Sequence, residues 1–149
     1  MKQSLLIERY PVYTLEIDRS ETELQSIDAV CAHLRERIEA HRCARFIADF
    51  DHLAHTRSLP EGLVGEDILA ARNLVFSFGI TLPDPQALAL RPRSIGVAET
   101  SRGFLVTFLE APMPIANTAM EDWAMSLRRP AGPPGLTGAT ACHQGPTQS

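Results

Sequence analysis

Hydrophobic and polar positions alternate or recur with clear periods along most of the first 129 residues, and the periods change several times. Between residues 5 and 17, Tyr13, Leu15 and Ile17 stand on one side of a two-residue alternation and Val12, Thr14 and Glu16 on the other. That is the pattern of a half-buried strand. Pro11, which has no backbone donor, marks an edge or the start of regular pairing. Ser20 precedes Glu23 by three residues, a capping-box spacing that predicts a helix. The apolar stripe of that helix is Leu24, Ile27, Cys31, Leu34 and Ile38, spaced by threes and fours, with Asp28, Arg35, Glu36 and Glu39 on the other face.

From Phe46 the period returns to two. Phe46, Ala48 and Phe50 alternate with Arg45, Ile47 and Asp49, which predicts a second strand ending at Asp51. Residues 51–70 hold a proline, two glycines and no sustained period, and read as a long loop with a helical turn near Glu66 to Ala70. Leu74, Phe76 and Phe78 define a third strand, stopped by Gly79 and the Leu-Pro-Asp-Pro run at 82–85. Residues 94–99 and 104–110 read as a hairpin closed by Thr100-Ser101-Arg102-Gly103. An even-numbered loop pairs Glu99 with Phe104, Val97 with Val106, Ile95 with Phe108 and Arg93 with Glu110. Ile95, Val97, Phe104, Val106 and Phe108 then face the core.

Asn117 reads as the N-cap of a second helix. Met120, Trp123 and Leu127 form its buried stripe, and Arg128 and Arg129 complement its dipole. Residues 130–149 contain eight glycines or prolines and one large apolar residue, Leu136, a composition expected to stay disordered. The order strand, helix, strand, strand, hairpin, helix predicts an α+β two-layer sandwich: a mainly antiparallel sheet of about five strands with two helices on one face, formed by residues 1–129 as a single domain.

Composition narrows the function classes. The 149 residues carry a formal net charge of −4, so an excess of cations to neutralise a phosphate backbone is missing and nucleic acid is not expected as a partner. The sequence holds no apolar run of about 18 residues that could span a bilayer, and the N-terminal Leu5-Leu6-Ile7 is too short for an export signal. The three cysteines, Cys31, Cys43 and Cys142, form no CxxC pair and suggest free thiols in a reducing, cytoplasmic setting. Dinucleotide, P-loop and nucleophile-elbow motifs do not occur.

Two clusters could carry chemistry. In Asp51-His52-Leu53-Ala54-His55, two imidazoles three residues apart could face one way, with Asp51 completing a divalent-metal site or orienting a ring. The other reading is that these residues cap and bridge backbone groups. In Arg91-Pro92-Arg93, an extended backbone would place both guanidinium groups on one side, where two forks could hold a carboxylate or phosphate. Against this stands a cross-strand Arg93–Glu110 pair with Arg91 solvated. A paired-carboxylate site at Glu99 and Glu110 is disfavoured by their separation along the hairpin. Cys31 is read as a core residue, His41 near Cys43 as a weak nucleophile arrangement, and Cys142-His143 as an exposed pair. Met113, Met120 and Met125, with Trp123, read as stripe or cap residues first and as a ligand cushion second.

The segments FIADFDHLAHTRSL, ARNLVFSFGITLPDP, RPRSIGVAE and FLEAPMPIAN together resemble a small family of bacterial cytosolic proteins that is a domain of unknown function. The resemblance spans about residues 5 to 128 and implies a soluble single domain, with no established reaction. Three function classes follow. The first binds a small molecule, anionic in the arginine version, or a divalent metal, with the His52/His55 loop closing over the sheet end near Arg91, Arg93 and Glu110. The second is an enzyme with a histidine general base and an arginine anchoring an anionic substrate. The third is a structural subunit or interaction module, with homo-oligomerisation as its mode.

Overall fold

A computed structural model describes residues 11–129. The sheet has five strands, all antiparallel to their neighbours, in the order β1-β5-β4-β3-β2. In chain order these are β1 (Val12–Asp18), β2 (Ala44–Asp51), β3 (Ala70–Phe78), β4 (Arg93–Glu99) and β5 (Gly103–Leu109). Helix α1 (Ile27–Ala40) carries the chain from the β1 edge to the β2 edge, and the meander β2 to β5 returns it to β1. Two further helices, α2 (His52–Ser58) and α3 (Pro114–Met125), complete the α+β fold.

One face of the sheet supplies Leu74, Phe76 and Phe78 from β3, Ile95 and Val97 from β4, and Phe104, Val106 and Phe108 from β5. These join Val30, Cys31, Leu34 and Ile38 of α1 and Ala116, Met120, Trp123 and Ala124 of α3 in one contiguous core. The expected core face of the hairpin is therefore formed, because period-two alternation aims every second side chain at the helices. Trp123 stacks on Phe78 at 5.7 Å with the ring planes 6° apart and meets Phe76 edge-on.

The helix ends differ from expectation. The capping box is Asp18 with Glu21, around a 3-10 turn at Arg19–Glu21, rather than Ser20 with Glu23. α1 starts at Ile27, where the Ser26 hydroxyl accepts from the Ala29 amide at 3.1 Å. Leu24 thus packs on the core from outside the helix. α3 begins at Pro114 with Met113 as its cap residue. Asn117, one turn inside, clamps the preceding connection: its Oδ1 accepts from the Ala111 amide and its Nδ2 donates to the Ala111 carbonyl, both at 2.6 Å. Leu127 is buried beyond the helix end, and Arg128 pairs with Glu21 at 2.9 Å instead of serving the dipole.

β2 is the largest departure. Its register with β3 shifts between Phe46 and Ala48, so Phe46 faces Phe76 but Asp49 faces Leu74 and Phe50 faces Asn73. An extra residue in one strand reverses the facing of all that follow. Ala48 and Phe50 thereby leave the core side, and Phe50 is 43% exposed. Asp49 replaces them beneath α1, where its carboxylate takes Arg72 at 2.8 and 2.5 Å while Arg72 also reaches Asp28 of α1 at 2.8 Å. The loop expected over 51–70 opens with α2, and the helical turn expected near Glu66 to Ala70 is reduced to one hydrogen-bonded turn, the Ile68 amide donating to the Gly65 carbonyl at 3.1 Å; Ala70 already belongs to β3. The tail from Pro130, expected to be disordered, lies outside the described residues.

Candidate functional site: an arginine-lined pocket at the sheet end

The hairpin register holds from Glu99–Phe104 to Gly96–Thr107 and then stops. Beyond it β4 stays paired with β3, Arg93 opposite Phe76, while β5 stays paired with β1, Leu109 opposite Val12. The expected Ile95–Phe108 and Arg93–Glu110 pairs are not part of the ladder. Where the ladder ends, an Nη of Arg93 donates to the Leu109 carbonyl, giving that acceptor a side-chain partner. Among the described residues neither Arg91 nor Arg93 has a carboxylate partner, which corrects the expected Arg93–Glu110 ion pair. Glu110 sits past the end of β5, half-buried, its amide donating to the Pro11 carbonyl at 2.9 Å.

Arg93 is in phase with Ile95 and Val97, so a guanidinium occupies a core-facing position at the mouth of the core. There the chain between β3 and β4 forms a 3-10 helix, Pro85–Leu90, capped by the Asp84 carboxylate on the Ala87 amide at 3.1 Å. Arg91 ends this helix, its amide donating to the Leu88 carbonyl, and the Arg91–Pro92 peptide is cis. The 3-10 helix, the end of β3 and the start of α3 enclose a pocket of about 250 Å³. Phe78, Ala87, Leu90, Ala111, Met113 and Ala116 supply much of its apolar wall; Arg91, Arg93 and Asp84 are its charged lining among the described residues. Burial pushes the Arg93 guanidinium below its ordinary pKa.

Arg91 and Arg93 are thus brought together as the sequence suggests, but His52 and His55 are not brought to them. Asp51 faces Arg72 on β3 and Arg93 faces Phe76, four residues further along the same strand, a separation of about 13 Å along the strand direction. With β3 lying between them, the His52/His55 segment cannot close over the arginines, which corrects that part of the first reading. It also separates the expected histidine base from Arg91 and Arg93, since no histidine lines the pocket among the described residues.

At its own place the segment reads structurally. Asp51 caps α2 by accepting from the Ala54 amide at 2.9 Å. The His52 and His55 rings lie 6.4 Å apart by their centroids, each 5.5–5.7 Å from the exposed Phe50 ring. Among the described residues, no three His, Cys, Asp or Glu are grouped so as to hold a metal ion.

The remaining candidates are accounted for by the fold. His41 accepts at Nδ1 from the Cys43 amide at 3.2 Å and packs edge-on against Phe78 and Trp123. Cys31 is buried, its thiol pushed up to about 12 chiefly by burial, and is no nucleophile. Glu99 pairs with Arg19 at 2.7 Å. Cys142 and His143 lie outside the described residues. Met113, whose second reading is a ligand cushion, lines the pocket; Asp84, Ala87, Leu90 and Ala116 are lining residues that the sequence reading does not single out. One sequence signal did point here: a charged residue in phase with the core side of a strand.

Fold and pocket together define a small α+β domain with an apolar hollow faced by two guanidinium groups that form no salt bridge among the described residues. Residues 1–129 match the family described as "Family of unknown function (DUF6858)", and the chain belongs to that family. Comparison with curated proteins and with solved structures returns no match. No helix among the described residues is long and apolar enough to cross a membrane.

Proposed function

We propose that the chain is a small-molecule-binding domain whose ligand is an anion held by Arg91 and Arg93 in the pocket at the sheet end. The observation that carries this reading is the convergence of both side chains on an otherwise largely apolar hollow with no facing ion pair among the described residues. A guanidinium in a low-dielectric setting is stabilised by an anion far more than one in water, and its planar fork accepts a carboxylate or phosphate through two hydrogen bonds. Arg93 spends one donor on Leu109 and keeps the others of its fork. The bond to a backbone carbonyl also fixes the side chain before ligand arrives, which reduces the ordering cost of binding.

The metal version of this function draws no support from the histidine geometry described above. A cytoplasmic setting accords with Cys31 and Cys43 being free thiols.

Thermal-shift titration with a panel of small carboxylates, phosphate and sulfate at fixed ionic strength tests the proposal. A saturable stabilisation by at least one anion is expected, lost in an Arg91→Gln/Arg93→Gln double variant that still unfolds cooperatively. Absence of any saturable shift, or a shift that survives in the double variant, would overturn it.

A further inference from the structure

Resting on that reading, we infer that the anion is a small aliphatic monocarboxylate without hydroxyl or amino substituents. Charge comes first. The lining holds two guanidinium groups against the one carboxylate of Asp84, a net of +1 among the described residues. One negative charge balances this, whereas a dianion leaves an excess charge in a partly desolvated place.

The walls decide the rest. Apart from those three residues, the lining side chains are hydrocarbon or, at Met113, thioether. Among the described residues, no side-chain hydroxyl, amide or imidazole lines it to pair with a polar substituent on the ligand body, and an unpaired polar group costs more than it returns. Asp84 does not fill that gap in full, since one of its oxygens already caps the 3-10 helix. An aliphatic body instead removes apolar surface on both sides from water. At about 250 Å³ the space falls just under the usual range of roughly 300–1,000 Å³ for ligand pockets, so the body is a short one.

Isothermal titration of the full chain tests the class with butyrate, hexanoate and octanoate, set against inorganic phosphate, succinate, 3-hydroxybutyrate and leucine. Affinity is expected to rise about two- to fourfold per methylene until the pocket is full, and 3-hydroxybutyrate to bind several-fold more weakly than butyrate. Arg93→Gln is expected to weaken hexanoate about tenfold or more. Ala87→Leu, a change on the half-exposed 3-10 helix, is expected to leave the circular dichroism unchanged and to shift the preference to shorter chains.

Phosphate or succinate binding more tightly than hexanoate, leucine or 3-hydroxybutyrate matching butyrate, or affinity independent of chain length would overturn the class. If those anions still depend on the arginines, the anion-binding function stands. If no anion binds, both fall.

Discussion

Asn117 is where an N-cap and a loop clamp predict different energies for the same substitution. As an N-cap it would be replaceable by aspartate at almost no cost, and by alanine at about 1 kcal/mol, because only an acceptor is needed. In the fold it serves both polar groups of Ala111, a residue that is only 7% exposed, through two bonds of 2.6 Å. Asn117→Asp keeps the acceptor for the Ala111 amide but turns a second oxygen toward the Ala111 carbonyl. That carbonyl loses its donor and meets a negative charge, at a cost of about 1–3 kcal/mol.

Asn117→Ala strands both groups; two lost bonds at about 1–1.5 kcal/mol each, less about 0.6 kcal/mol of recovered helix propensity, give about 2 kcal/mol. The assay is urea unfolding followed by the single tryptophan, Trp123, which is buried against Phe78. Lowering the pH far enough to protonate the introduced carboxyl restores a donor, and the deficit of the aspartate variant relative to wild type should shrink. An aspartate variant within about 0.3 kcal/mol of wild type at neutral pH would refute the clamp.

Two further outcomes follow from other places in the fold. Phe50→Ser is expected to cost less than about 1 kcal/mol by the same urea assay, since the β2 register shift leaves that ring exposed, whereas Phe76→Ala in the core should cost about 3–5 kcal/mol; similar losses for the two would contradict the shift. His33, on α1, bonds Ser126 at 2.9 Å, and because the Ser126 hydroxyl donates to the Trp123 carbonyl, His33 is the donor, through its Nε2–H. Burial, and then the Arg37 charge, lower its pKa, so the unfolded chain binds the extra proton first. Its contribution to stability is complete above about pH 6.5 and is lost as pH falls from there through the folded-state value. Denaturation midpoints between pH 7.5 and 5.5 should decline in the wild type and decline less in His33→Gln; parallel profiles would remove the assignment.

Much of this fold is local physics and can be read in the chain. The stripe from Ile27 to Ile38, the alternation Leu74-Phe76-Phe78 and the hairpin register around Glu99–Phe104 each rest on a repeat within a few residues, because side-chain direction follows backbone period. Gly103 has a long-range reason instead: a Cβ there would stand 2.1 Å from the Ile17 carbonyl of β1, so the two strands pair this closely only with glycine. α2 is not legible because seven residues make fewer than two turns and show no period; of the two readings of Asp51, metal donor and backbone cap, the fold forms the cap.

The sequence by itself determined the α+β class, most of the element types, the core face of β3, β4 and β5, and the adjacency of Arg91 and Arg93. Tertiary structure decided the rest. Whether Phe50 or Asp49 lies under α1 depends on one extra residue in β2 relative to β3, a property of the pair that neither strand carries alone. Whether Arg93 meets Glu110 or Leu109 depends on where the β4–β5 ladder ends. And a pocket exists there only because Phe78, Ala87 and Ala116, far apart in the chain, are brought around one gap that the core leaves unfilled. Local patterning fixes which way a side chain points; what it then meets is set by long-range pairing and packing.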